Sequence, residues 1–238
     1  MITESVLPNG KTLDIHTPDG ADATAALPTL LLWHGIGPDE RDILRPVAQA
    51  VAAAGAVVLV PDWRSDEPDG GRAHLLCSLG YAQERTGIGP LVVAGWSAGA
   101  GAAVGLATRP TANGWRPSAV VGIAGRYDVP ARTTGTAPLD DLATRSVDVD
   151  ADPIPVHLVH GTEDVPVDIR CSREFAAALG GHGWPVDLEE PASDHAGVIM
   201  GAYDPAVRRI VPSGSAAAVA GGKATVAALL TALSLPLL

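Results

Sequence analysis

Lysine is nearly missing from this chain: Lys11 and Lys223 are the only two among 238 residues, and arginine supplies the other cations. Acidic residues outnumber basic ones, 27 to 16, for a formal net charge of −11. No basic block offsets that charge, so the surface repels nucleic acid and anionic membrane, and neither is expected as a partner. Cysteine is equally scarce. Cys77 and Cys171 are too few for a disulfide framework, and neither sits in a metal-ligand spacing. Both are expected to be reduced packing residues, and no metal or other cofactor is expected. No run of about 18 uncharged apolar residues occurs, which excludes a membrane-spanning helix. The start, Met1-Ile2-Thr3-Glu4-Ser5, has neither the charged nor the apolar part of a secretory signal, so a cytoplasmic location is expected. Internal repeats and long linkers are lacking too.

The chain does hold enough apolar residues for a substantial core. Hydrophobic residues make up 47% and aromatics only 4%, a composition rich in Ala and Val that suits a sheet buried between helices. Apolar runs predict strands at Thr12–His16, Thr29–His34, Ala56–Pro61, Leu91–Gly95, Ala119–Ala124, Val156–His160 and Val186–Leu188. Helical patterns fall between them, at Arg41–Ala54, Gly71–Thr86, Ala98–Arg109, Arg170–Leu179 and Ser215–Leu233. Gly55 is placed to end the first helix and Pro110 to stop the third. The runs Leu30-Leu31-Leu32, Val57-Val58-Leu59-Val60 and Leu91-Val92-Val93 are continuously apolar, as in strands covered on both faces. The expected fold is therefore α/β: a doubly wound, mostly parallel sheet flanked by helices in a single domain over residues 1–238. Residues 125–155 are the least regular stretch, too short for a large cap, and are expected to form a small flap or loop.

One turn carries chemistry. Gly95-Trp96-Ser97-Ala98-Gly99 follows an apolar strand and opens a small-residue helix. In such a strand-turn-helix setting the serine is strained and its hydroxyl exposed, while the glycines two positions away let strand and helix approach. In a chain with 27 glycines the pentapeptide alone is weak evidence, and a serine alcohol is a poor nucleophile without help. The remaining parts must be found elsewhere. His195, just after the last predicted strand, is the candidate base; His16 and His157 fall in strands, His74 on a helix and His182 in a glycine-rich turn. Asp164, after the strand ending at His160, is the candidate carboxylate, with Glu163, Asp168 and Asp128 as alternatives. Backbone N–H groups of Ala98 and of Ile36, in Trp33-His34-Gly35-Ile36-Gly37, are the candidate oxyanion donors. Every one of these follows a predicted strand, where open α/β sheets bind ligands. Nucleophile, acid, base is also the chain order of one particular fold.

At these residues the chain resembles the α/β-hydrolase superfamily, from about Leu13 to His195. Within it the likeness is greatest to small esterase/lipase-type enzymes of the bacterial feruloyl-esterase-like and kynurenine-formamidase-like groups. Leu13-Asp14-Ile15-His16-Thr17-Pro18, His34-Gly35, Pro61-Asp62-Trp63-Arg64, Gly95-Trp96-Ser97-Ala98-Gly99, Gly125-Arg126-Tyr127-Asp128 and His160-Gly161-Thr162-Glu163-Asp164 carry it. The resemblance implies hydrolysis of a small-molecule carboxylic ester through an acyl-serine, with no cofactor. Many relatives have a second Gly where this chain has Ile36, so the oxyanion loop is of the Gly-X kind and bulky tertiary-alcohol esters are disfavoured. Serine at the elbow disfavours dienelactone hydrolase, which has Cys there, and haloalkane dehalogenase, which has Asp. Amidase, formamidase, peptidase or thioesterase activity, and a non-catalytic binding protein, remain alternatives.

Trp96, Val165 and Val198 are candidates for the substrate pocket, with Ile36 and Ile199 also near and a short or medium acyl chain as the occupant. Trp33 and Trp184 are expected in the core, and Asp62 with Arg64 is expected to tie a strand end to the next loop rather than bind substrate. A monomer or homodimer is expected. If an imidazole is the base, kcat/KM for ester hydrolysis rises with pH as the ring loses its proton. A flat profile between roughly pH 5 and 9, with chemistry rate-limiting, would exclude it.

Overall fold

A computed structural model describes residues 1–20, 27–86, 89–109, 114–144 and 152–237. Its strands are β1 (Ile2–Val6), β2 (Thr12–His16), β3 (Thr29–Trp33), β4 (Val57–Pro61), β5 (Leu91–Trp96), β6 (Ala119–Ile123), β7 (Val156–Val159), β8 (Val186–Glu189), β9 (Gly201–Asp204) and β10 (Arg209–Pro212). The helices are α1 (Arg45–Ala53), α2 (Arg72–Thr86), α3 (Ala98–Thr108), α4 (Pro138–Thr144), α5 (Arg170–Gly181) and α6 (Ala216–Ala232). Eight strands form one sheet in the order β1-β2-β4-β3-β5-β6-β7-β8, and β9 and β10 make a separate hairpin. From β4 to β8 every pairing is parallel; β1 with β2 and β2 with β4 are antiparallel.

The alternation of side chains along each strand assigns its two faces. Leu30 and Leu32 of β3 pack with α1 and α6, while Leu31 and Trp33 face α2 and α3. Towards β7, Val156 and Leu158 pack with Phe175 and Leu179 of α5. Strands covered on both sides must be apolar throughout, and β3, β4 and β5 are buried at every residue. β3 pairs with β4 on one side and β5 on the other, so the strand order reverses there and leaves a crevice beyond their carboxyl ends.

Where structure and sequence reading differ, edges are the cause. β1 is largely exposed and β9 and β10 project as a hairpin, so none has the apolar run that betrays a central strand. The first predicted helix is split into a 3₁₀ turn, Arg41–Leu44, and α1. Within residues 125–155 the chain forms turns and the short α4, and residues 126–132 supply one wall of the cleft described below. Positions 145–151 of that stretch, and the helix stop assigned to Pro110, lie outside the described residues. Among the described residues, no helix is long and apolar enough to cross a membrane.

Crowding at the end of β5 decides which residues the turn accepts. A Cβ on Gly95 would lie 2.1 Å from the Gly99 carbonyl oxygen, and one on Gly99 would lie 2.5 Å from that of His34. Gly95→Ala is expected to lower the unfolding free energy by roughly 1–3 kcal/mol, the usual cost of overpacking. Gly80→Ala, in α2 with nothing within 4 Å of the added carbon, is expected to raise it by roughly 0.5–1 kcal/mol. Urea denaturation of the two variants beside wild type measures both.

Candidate active site

Ser97 stands between β5 and α3 with φ +57° and ψ −118°, a conformation that residues with side chains seldom adopt. It is held there by its own N–H, which donates to the Ile123 carbonyl at 2.8 Å, and by the close approach that Gly95 and Gly99 allow. The turn lifts the hydroxyl away from both elements. His195 Nε2 is 3.0 Å from Ser97 Oγ, and His195 Nδ1 is 2.7 Å from Asp164 Oδ2. The structure thus brings the three distant side chains into one hydrogen-bonded line. The Asp164 side chain is fully buried, and burial opposes its ionisation. Hydrogen bonds from His160, His195 and the Val167 N–H outweigh that and hold its carboxyl at about 2. An ionised carboxylate only accepts, so His195 carries its proton on Nδ1 and leaves Nε2 free to accept from the Ser97 hydroxyl. Of the alternative acids, Asp128 pairs with Arg126 and Asp168 with Arg170, while the exposed Glu163 bonds the Ser193 carbonyl through its N–H.

The loops bearing Asp164 and His195 are fastened to each other by main chain. Thr162 N–H donates to the Pro191 carbonyl at 2.9 Å and Glu163 N–H to that of Ser193 at 3.0 Å. Gly161 makes the contact possible, since a Cβ there would stand 2.1 Å from Ser193 O. His160, not singled out from the sequence, lies fully buried beneath the acid. Its Nε2 donates to the Val167 carbonyl at 2.9 Å and lies 3.2 Å from Asp164 Oδ2, while Nδ1 accepts from the Ser172 hydroxyl at 2.7 Å. The sequence signal for it was its position four residues before Asp164.

The oxyanion candidates adjoin Ser97. Ala98 opens α3, so its N–H has no partner within the helix. Gly35 touches the turn at Ser97: a Cβ on it would be 3.3 Å from Ser97 Cβ and 2.6 Å from the Trp96 ring. His34 orients the next peptide. Its Nδ1 donates to the Gly35 carbonyl at 3.0 Å, and because C=O and N–H of a trans peptide point opposite ways, this directs the Ile36 N–H outward. Among the described residues that N–H has no hydrogen-bond partner. His34 Nε2 accepts the N–H of Trp63 at 3.2 Å and approaches that of Glu40 at 3.4 Å. Burial favours the neutral ring and lowers its pKa to about 4.

A cleft of about 440 Å³ opens beside Ser97, and Ile36 and Ala98 share its lining. The pocket expectations need correction here. Val198 is wholly buried, because the turn after His195 runs inward under α6, where Thr225 Oγ1 donates to the Val198 carbonyl. Val165 is 90% exposed, and Val167, two residues on, reaches the cleft instead. Trp96 is buried below His195, its ring centroid 4.8 Å from the imidazole's and its Nε1 donating to the His195 carbonyl at 2.8 Å. The remaining walls come from Gly101, Arg126 and residues 129–132. Trp33 and Trp184 are core residues, and Asp62 and Arg64 are taken up in ion pairs with Arg41 and with Asp39 and Asp66. Among the described residues no group of His, Cys, Asp and Glu is arranged to hold a metal ion.

No protein-family profile and no curated protein sequence matches the chain. Solved structures do. Esterase 2 from Thermogutta terrifontis with bound propionate superposes with a TM-score of 0.71 at 17% identity, covering 97% of this chain and 93% of that one. The same esterase phosphorylated by paraoxon gives 0.65 at 19% identity, over 82% and 83%. A candidate dienelactone hydrolase from Klebsiella pneumoniae subsp. pneumoniae gives 0.69 at 17%, over 98% of both chains. The chain has the α/β-hydrolase fold.

His34 gives this site a pH signature. The unfolded ring titrates near 6.5 and the folded one at about 4, so the unfolded chain binds more protons in that window. The contribution is fully present above about pH 6.5 and is lost as pH falls toward 4. In urea titrations from pH 7 to 4, wild type is expected to lose stability more steeply than His34→Asn, by at most about 1.4 kcal/mol per pH unit. Parallel slopes would show that His34 is not held neutral.

Proposed function

We propose that this protein is a serine hydrolase that cleaves carboxylic esters through an acyl-serine intermediate. The observation that carries this reading is the unbroken line from Ser97 Oγ through His195 to Asp164, at 3.0 and 2.7 Å. In the acylation step the Ser97 oxygen attacks the ester carbonyl while Nε2 of His195 takes its proton. Asp164 stabilises the imidazolium, and the N–H groups of Ile36 and Ala98 donate hydrogen bonds to the carbonyl oxygen as it becomes negative. The imidazolium then protonates the departing alcohol. Water attacks the acyl group by the same route in reverse and frees Ser97. Ser97, Asp164 and His195 are the catalytic residues of this mechanism.

The cleft volume, about 440 Å³, and its walls of Ile36, Val129, Pro130 and Val167 suit a short- to medium-chain acyl group. The structural neighbour that binds propionate is consistent with that size. The same machinery can act on amides and thioesters, and kcat/KM on a matched ester, thioester and amide ranks the three. A binding protein on a hydrolase scaffold is the less favoured reading, since such a protein has no need of the complete relay.

Wild type is expected to react covalently with paraoxon at Ser97, read by the added diethylphosphoryl mass on the peptide containing it. Ser97→Ala should lose that label, and kcat for p-nitrophenyl butyrate should fall by about 10³-fold or more in Ser97→Ala and in His195→Ala. Wild-type turnover by Ser97→Ala would end the proposal.

A further inference from the structure

Two arginines line the cleft beside Ser97, Arg126 and Arg132. They differ in what already holds them. Arg126 is exposed and spent on Asp128, through Nε at 3.1 Å and Nη2 at 2.6 Å. Arg132 is half-buried, and among the described residues no carboxylate lies within 4.0 Å of its guanidinium. Asp69, adjoining the Gly70 that Arg132 bonds, is committed: both its oxygens accept main-chain N–H groups at the start of α2, from Gly71 and Ala73. In a chain of net charge −11, an arginine left without an acid at a cleft is conspicuous.

Arg132 is nevertheless held in place. Its Nη1 donates to the Gly70 carbonyl at 2.8 Å, and its Cζ lies over the Trp63 ring, 5.6 Å from the centroid. The loop bearing it is fixed to α3 by Thr133 Oγ1, which donates to the Ala102 carbonyl at 2.7 Å. A tethered guanidinium with unused N–H donors is prepared for the two oxygens of a carboxylate, and a charge-assisted pair gains strength where the adjoining walls are apolar.

Building on the serine-hydrolase reading, we propose that Arg132 is a specificity-determining residue that recognises an anionic group, and that the preferred substrate is an ester carrying a carboxylate beyond a short apolar spacer. Val129, Pro130 and Ala131 line the cleft next to it and would contact that spacer.

The test compares the monoethyl ester of adipic acid with its neutral amide counterpart, and 4-carboxyphenyl butyrate with 4-carbamoylphenyl butyrate. These place the charge on the acyl and alcohol sides in turn. Wild type should prefer the anionic member of at least one pair by roughly tenfold in kcat/KM. That ratio should collapse in Arg132→Gln and in Arg132→Met, which keeps the apolar stem, and return in part in Arg132→Lys. No anionic preference in either pair, or equal ratios in wild type and both neutral variants, overturns the proposal. Failure of the hydrolase reading would show separately, as no turnover of the neutral esters and no paraoxon label on Ser97. Even then, adipate titrated into wild type and Arg132→Met and followed by NMR decides the matter. At least fivefold weaker binding in the variant supports an anion site, and equal binding or none in wild type overturns it.

Discussion

A residue with a side chain is forced into left-handed backbone at Ser97, at a cost of order 1–3 kcal/mol. Much of the molecule's centre is arranged to sustain that strain. The turn is pinned to β6 through the Ile123 carbonyl, backed by a helix buried from Gly99 to Thr108, and crossed at contact distance by the loop after β3. Each packing choice serves the same end. Glycine at 95 and 99 keeps strand, helix and loop within touching distance, and small residues along α3 let the flap region lie against it, as where Ala131 meets Gly105. What results is a hydroxyl held at the strand-order reversal of the sheet, where side chains from other strand ends can converge.

Three histidines near this point show how surroundings assign work to one side chain. His34 is held neutral by burial and serves as a bracket for peptide groups, donating from one nitrogen and accepting at the other. His160 is also buried, but its fixed donor lies against a carboxylate and a carbonyl, and it supports Asp164. His195 alone has one nitrogen on an anion and the other on a hydroxyl at a solvent-reached cleft. That is the combination the proposed ester hydrolysis asks of its general base.

The central architecture was legible because strands covered on both faces have no choice but to be apolar. Leu30-Leu31-Leu32 and Val57-Val58-Leu59-Val60 disclosed β3 and β4 for that reason. The line of Ser97, Asp164 and His195 was legible because each follows such a strand, and topology then decides that their ends meet. Edge elements were not: Ile2–Val6 has one neighbour and an exposed face, so its composition is free to be polar. The pocket was the poorest reading. Nearness in sequence to Asp164 or His195 says nothing about which way a turn faces, and Val198 went inward while Val165 went out. The true walls come from the loop after β6, whose residues are constrained by shape and not by periodicity.

The fastening between residues 161–163 and 191–193 has a further meaning. Main-chain bonds at Thr162 and Glu163 make the loops bearing Asp164 and His195 one mechanical piece, and the turn at Ser97 is a second. Besides the hydrogen bond between Ser97 and His195, the indole of Trp96 spans the two by its bond to the His195 carbonyl. Anyone transplanting this machinery to another scaffold would therefore move two cassettes and a single aromatic hinge pin, not three independent side chains.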